Sequence, residues 1–200
     1  MATLDFPAGI YFKEARITAR SAVGVVTSPY TFAREPQDWG GERWEITFQF
    51  LRVTREHAAI LESFLLKMRG GLHKVRLGDP WGSKPQGSNL GTPLVGAGNV
   101  AGSTSLIMKD WPSSSTGLLK ANDYVEIEES LYRVLDDVDS DGSGDATVEV
   151  WPRLRKAHAE DVAMRTRNAR ALFALADPMA LFDRNQIELY GASVNFVEAL

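Results

Sequence analysis

From Trp44 to Phe50 apolar and polar residues alternate, so Trp44, Ile46, Phe48 and Phe50 share one face of a half-buried strand. After Val53 the period changes: Ile60, Leu61, Phe64, Leu65 and Met68 form one stripe of a 3.6-residue helix, with Arg55, Glu62, Ser63 and Lys67 lying elsewhere. Thr54 is the expected N-cap, its hydroxyl placed to accept a bond from a free backbone N–H of the first turn, and Glu56 adds a favourable negative charge there. Gly70 and Gly71 end the helix, because glycine takes the left-handed conformation after a helix without steric cost. Leu72 to Leu77 then reads as a strand, stopped at Leu77-Gly-Asp-Pro80. The pattern predicts a helix docked by one face on a sheet.

Upstream, Ile10 to Arg20 and Ala22 to Thr27 are strand-like and form either a hairpin or one bent strand. Ser28-Pro29-Tyr30-Thr31-Phe32 reads as an extended turn, since Pro29 offers no N–H and biases Ser28 away from helix. The polar run from Arg34 to Gly41, with Pro36 and the Gly40-Gly41 pair, predicts a loop leading into the Trp44 strand. Trp39 and Trp44 bracket its end. Either both rings cover the edge of the core, or Trp39 is an exposed anchor for another subunit, where aromatic residues are enriched. Near the C-terminus, Gln186 to Glu198 reads as a long strand to be docked on the sheet of the first 78 residues. Its apolar positions move from odd (Ile187, Leu189) to even (Tyr190, Ala192, Val194, Phe196) beside Gly191, as a β-bulge would make them.

The middle of the chain has a different texture. Between Gly82 and Gly102 it is dominated by Gly, Ser, Asn and Pro, and beyond lie short strand candidates at Ser105 to Lys109, Tyr124 to Ile127, Leu131 to Leu135 and Thr147 to Trp151. Such spacing predicts a small β-barrel or sandwich folding as its own unit. Between two of these strands, Asp137, Asp139, Asp141 and Asp145 alternate around Gly142 as in the start of a calcium loop. The twelfth position is Val148 where a bidentate Glu belongs, and a plain turn rich in Asp, Ser and Gly explains the same residues. The basic run from Arg153 to Arg170 is interleaved with Glu160 and Asp161 and reads as a solvated connector or a subunit contact.

Composition narrows the chemistry. Lys plus Arg is 22 and Asp plus Glu 26, so the formal charge of −4 argues against a dedicated nucleic-acid binder. The absence of cysteine removes disulfides, thiolate metal sites and thiol nucleophiles. No secretory leader or long apolar span is evident, which makes a soluble protein assembled in a cytoplasm, with no membrane partner, the expectation. His57, His73 and His158 stand apart in sequence, and the first two read as ordinary surface or partly buried residues. Glu128 and Glu129 are adjacent and would point apart on a strand. No nucleophile elbow or Walker loop is present, and Gly96-Ala-Gly98 lacks the setting of a dinucleotide fingerprint. No enzyme and no cofactor are expected.

Taken in order, Ser28-Pro-Tyr-Thr31, Gly41-Glu-Arg-Trp44, Leu77-Gly-Asp-Pro80, Gly91-Thr-Pro-Leu94, Gly117-Leu-Leu-Lys-Ala-Asn-Asp-Tyr124 and Trp151-Pro-Arg-Leu154 resemble a family of tail proteins of long-tailed bacteriophages and prophages, the distal tail proteins at the tip of the tail tube. The resemblance implies a mainly β (α+β) chain: a tail-tube-like β-sandwich with one packed helix, from residues 1–78 with 160–200, and an inserted oligonucleotide-binding-like barrel at 79–159. It implies a structural virion protein at the tail tip, forming a homo-oligomeric ring, expected as a hexamer, that joins the tube protein to the hub and receptor-binding apparatus. DNA would pass through the lumen at ejection without specific binding. Partner contacts would fall on Pro29, Tyr30, Trp39, Trp44 and Trp81. A second class, a carbohydrate-binding module aiding host attachment, would use Trp81, Trp111, Tyr124 or Tyr132 to stack on sugar rings.

Overall fold

The computed structural model describes residues 1–51, 54–88, 91–178, 183–184, 190–191 and 193–200. The chain is mainly β, with a single α-helix among the described residues. Its first sheet has the order β1 (Thr3–Leu4), β4 (Lys74–Leu77), β10 (Ala171–Leu175), β13 (Ser193–Glu198), β3 (Arg34–Phe50) and β2 (Phe12–Thr27). Only the β1–β4 pair is parallel. The alternation from Trp44 to Phe50 does what it predicts, with Trp44, Ile46, Phe48 and Phe50 buried on one face. Val194 and Phe196 of β13 bury the same face, and β13 docks between β3 and β10. The expected bulge rests on residues 187, 189 and 192 and lies outside the described residues. The Tyr190–Gly191 strand (β12) pairs with Asp183–Arg184 (β11) as a separate two-stranded ladder.

Helix α1 (Arg55–Lys67) lays Ala58, Leu61, Phe64 and Leu65 on that apolar face, and Met68 completes the contact. Thr54 does sit at the N-cap, but its hydroxyl meets His57 Nδ1 at 3.3 Å, leaving the first-turn N–H groups without a side-chain cap. After a 3-10 turn at Arg69–Gly71, Gly70 and Gly71 take positive φ and lead the chain back into β4.

The second sheet runs β5 (Leu94–Val95), β6 (Ser105–Lys109), β9 (Ala146–Trp151), β8 (Ser130–Val134) and β7 (Tyr124–Ile127). Ala163 bridges to Leu94 at one edge and Arg165 to Glu126 at the other, so the sheet curls until one segment pairs with both of its margins. Leu106, Met108, Val125, Ile127, Tyr132, Val134, Val148 and Val150 fill the interior. Met164 packs there too, with Val162 against it, so the start of the segment assigned from sequence to 160–200 runs along the second sheet. The reason is backbone demand: the β5 and β7 margins would otherwise leave open hydrogen-bonding groups.

The second unit leaves the first sheet after Leu77 and rejoins it at Ala171, and these two residues are register partners. A Cβ at Gly78 would collide with the carbonyl of Ala169, which explains the glycine in Leu77-Gly-Asp-Pro80. The two cores touch: Tyr124 and Leu131 belong to the first cluster, and Trp151 crosses Trp44 edge-on with ring centroids 4.4 Å apart.

Candidate functional site

The stretch expected as a loop, Arg34 to Gly41, is instead the outer half of β3. It pairs with Val23 to Thr27 to make a two-stranded ribbon, the first of the two alternatives for the N-terminal segment being replaced by one long, bent strand. Proline and glycine are tolerated here for physical reasons. Pro36 lies in a ribbon with one partner strand only, so its missing N–H breaks no second ladder. Gly40, at φ +70°, and Gly41 sit in an irregularity where residues 39–41 face the single Ala22, and the Asp38 carboxylate accepts the Gly40 N–H at 2.8 Å.

This ribbon outruns the sheet. β13 last pairs with β3 at Glu45, and beyond that point the hairpin projects for roughly 35 Å, at about 3.3 Å per residue. Ser28 organises its tip: its backbone N–H donates to Ala33 O at 2.9 Å, its carbonyl accepts Phe32 N–H at 3.0 Å, and its hydroxyl faces the N–H groups of Tyr30 and Thr31. The expected extended turn is therefore a tight one. Pro29 is exposed; Tyr30 is 92 % exposed, Phe32 79 %, Val26 72 % and Trp39 71 %. A two-stranded hairpin in water is marginally stable, and this one spends its large apolar side chains on solvent.

The root of the ribbon is clasped by the residues that follow β9. Arg153 pairs with Asp38, and its backbone N–H donates to Glu42 Oε2 at 2.6 Å. Arg155 donates to the Glu42 carbonyl at 2.6 Å and, through Nε and Nη2, to both oxygens of buried Glu198 at 3.2 and 2.5 Å. The Gly40 N–H first, and Arg153 second, hold the Asp38 carboxyl below its ordinary pKa. The basic run is thus not a plain solvated connector at its start. These arginines fix the second unit to the base of the hairpin.

Trp44 does not belong with the partner-contact residues. It is 1 % exposed, with its indole N–H donating to Leu131 O at 2.9 Å, because it faces the core between the two units. Trp81 is exposed where the second unit begins, its backbone N–H donating to Asp79 Oδ1. Trp111, Tyr124 and Tyr132 are buried and have no face to offer a sugar ring. That correction leaves Trp81 alone of the four stacking candidates.

The acidic loop spends its carboxylates on the protein. Asp137 accepts from Lys120 Nζ at 2.7 Å and Ala121 N–H at 3.1 Å, Asp139 accepts from Gly117 N–H at 2.6 Å, and Asp141 accepts from Ser143 and Asp145 N–H at 2.8 and 2.9 Å. Among the described residues no group of three or more Asp, Glu or His is placed to hold a metal ion. Glu128 and Glu129 do part, but from a turn in which both take positive φ: Glu129 reaches Arg76 at 2.6 Å, Glu128 reaches Lys156 and His158. His158 is buried, between Tyr132 Oη and Glu128 Oε2 at 2.9 Å each. Nothing in sequence spacing joins these three residues.

The valines of the ribbon were the missed surface. Val23-Gly-Val-Val26 reads as strand from its β-branched residues, and nothing local in the polar run after the turn shows that the two segments pair. No protein-family model matches the chain, and no curated protein matches it.

Proposed function

We propose that the chain is a structural protein of a phage tail tip, which self-associates into a ring joining the tail tube to the hub below. The first sheet with its helix would be the tube-like domain, and the curled second sheet the oligonucleotide-binding-like barrel carried outside it. The observation that carries this reading is the projecting hairpin with Tyr30, Phe32 and Trp39 at and near its tip. An arm of this kind gains stability only when another surface covers it, and a ring needs one patch of each subunit to meet a different patch of the next. The tail-tip context rests on the resemblance of the ordered short motifs from Ser28 to Leu154, and on this reading the protein belongs to the virion after assembly in the bacterial cytoplasm.

Light scattering on the purified chain, with negative-stain imaging of the same sample, tests the proposal. A closed ring with an open centre supports it and gives the symmetry. A chain that stays monomeric at every concentration, with no change on adding tube or hub proteins, rejects it.

A further inference from the structure

We propose that the hairpin arm is clasped on both faces by a second copy of the chain. The pairs Val23–Asp38, Val25–Pro36 and Thr27–Arg34 share one face of the ribbon, and Gly24–Gln37 and Val26–Glu35 share the other. Val25 and Val26 are consecutive and therefore point to opposite sides. The indole of Trp39 lies over Gly24, where an added Cβ would meet Nε1 at 3.1 Å, so it belongs to the face of Val26. One side thus carries Val23, Val25 and Pro36 beside Thr27, Arg34 and Asp38, and the other Val26 and Trp39 beside Glu35 and Gln37. All three valines and the tryptophan are exposed.

A ribbon that lies on a single surface has one apolar and one polar face, whereas strands buried on both sides are apolar on both. The β2 strand of the arm follows the second pattern, with Val23 and Val25 on one face and Val26 on the other, while the polar residues of β3 rim both faces. It enters a slot and does not lie on a patch. Covering Tyr30, Phe32, Trp39 and the three valines removes roughly 650 Å² from water, taking ~200 Å² for a fully exposed large aromatic, about half that for valine, and each residue's own exposure. A standard interface takes ~800 Å² from each partner, so the arm supplies most of one side of a contact between two copies. The naming of a second copy rests on the ring reading. The two-sidedness does not.

Two paired variants in the full chain separate the faces: Val23→Thr with Val25→Thr, and Val26→Thr with Trp39→Ser. Threonine keeps the β-branch, so the ribbon retains its strand preference. Each pair is expected to raise the concentration for half-assembly by about tenfold or more, as for buried apolar anchors. Because the chain has no cysteine, Val23→Cys and Val26→Cys each accept a solvent-sensitive dye at one position. Both dyes should shift to the blue on self-association. If one variant pair assembles like the unaltered chain, or one dye stays in water, the two-faced clasp is overturned and the ring survives. If both faces respond but images show a closed dimer, the clasp stands and the ring falls. A chain with no self-association overturns the second copy as occupant.

Discussion

The carboxylate of Glu198 takes the backbone N–H of Trp44 at 3.0 Å, one residue beyond the last pairing of β13 with β3. A side chain here stands in for the strand that stops. The same carboxylate is held by Arg155 from the second unit, so the end of the β13–β3 pairing, the root of the hairpin and the junction between units share one largely buried ion pair.

Removing one member of that pair should be costly. Glu198→Ala leaves Nε and Nη2 of Arg155 and the Trp44 N–H without a partner, while Nη1 keeps the Glu42 carbonyl, and a loss of about 3 kcal/mol is expected for a largely buried pair broken on one side. Replacing both, with Arg155→Met and Glu198→Leu, should recover most of the loss. A double-mutant cycle in denaturant reads the coupling, and additive single effects would rule it out.

Two tryptophans five residues apart should behave oppositely. Trp44→Ala removes a buried ring and orphans the Leu131 carbonyl, for about 3–5 kcal/mol of lost stability in the monomer. Trp39→Ser should change monomer stability by no more than about 0.5 kcal/mol, as expected at the surface, while weakening self-association. Urea melts below the assembly concentration measure the first effect, and light scattering measures the second.

The acid limb of the stability curve should report Glu128, Asp137 and Asp141. His158, then Lys156, hold Glu128 below its ordinary pKa; Lys120, then the Ala121 N–H, do so for Asp137; the N–H groups of Asp145 and Ser143 do so for Asp141. A carboxyl depressed in the fold adds stability above its unfolded pKa, about 4, and loses it as pH falls through the lower folded value. Unfolding free energy should therefore drop below about pH 4, and Glu128→Gln with Asp137→Asn should flatten that drop. An unchanged slope in the double variant would remove these groups from the account.

Calcium should leave the thermal midpoint where it is. Asp137, Asp139 and Asp141 already accept hydrogen bonds from Lys120 or from backbone N–H groups that a bound cation would have to displace. A ligand that binds only the fold raises the midpoint. A calcium-dependent rise reversed by chelator would reopen the loop as a metal site.

What could be read from the sequence was what repeats locally. The period-two run to Phe50 and the stripe through Leu61 and Leu65 each carry their own burial signal, and both elements form where that signal lies. The strand state of the Arg34 to Gly41 segment is not local: it is set by pairing with Val23 to Thr27, which overrides proline and glycine when one edge is free. Period two places Trp44 on the buried face, whereas the exposure of Trp39 is one of two alternatives the sequence leaves open, since it depends on where β13 ends. The Tyr132–His158–Glu128 contacts and the Arg155–Glu198 pair join residues 26 to 43 positions apart and leave no trace in local spacing.

The register of Leu77 with Ala171 has a consequence for how such a chain can change. Neighbouring strands lie about 4.8 Å apart, so the second unit hangs from the sheet by two adjacent threads where a tight turn would otherwise close a hairpin. The position is a socket. A module whose own termini lie side by side fits the strand register there, provided it covers Trp44 as Leu131 and Trp151 do. Decoration at this point is open to exchange, while the residues that must answer to it, Trp44, Glu42 and Glu198, stay on the sheet.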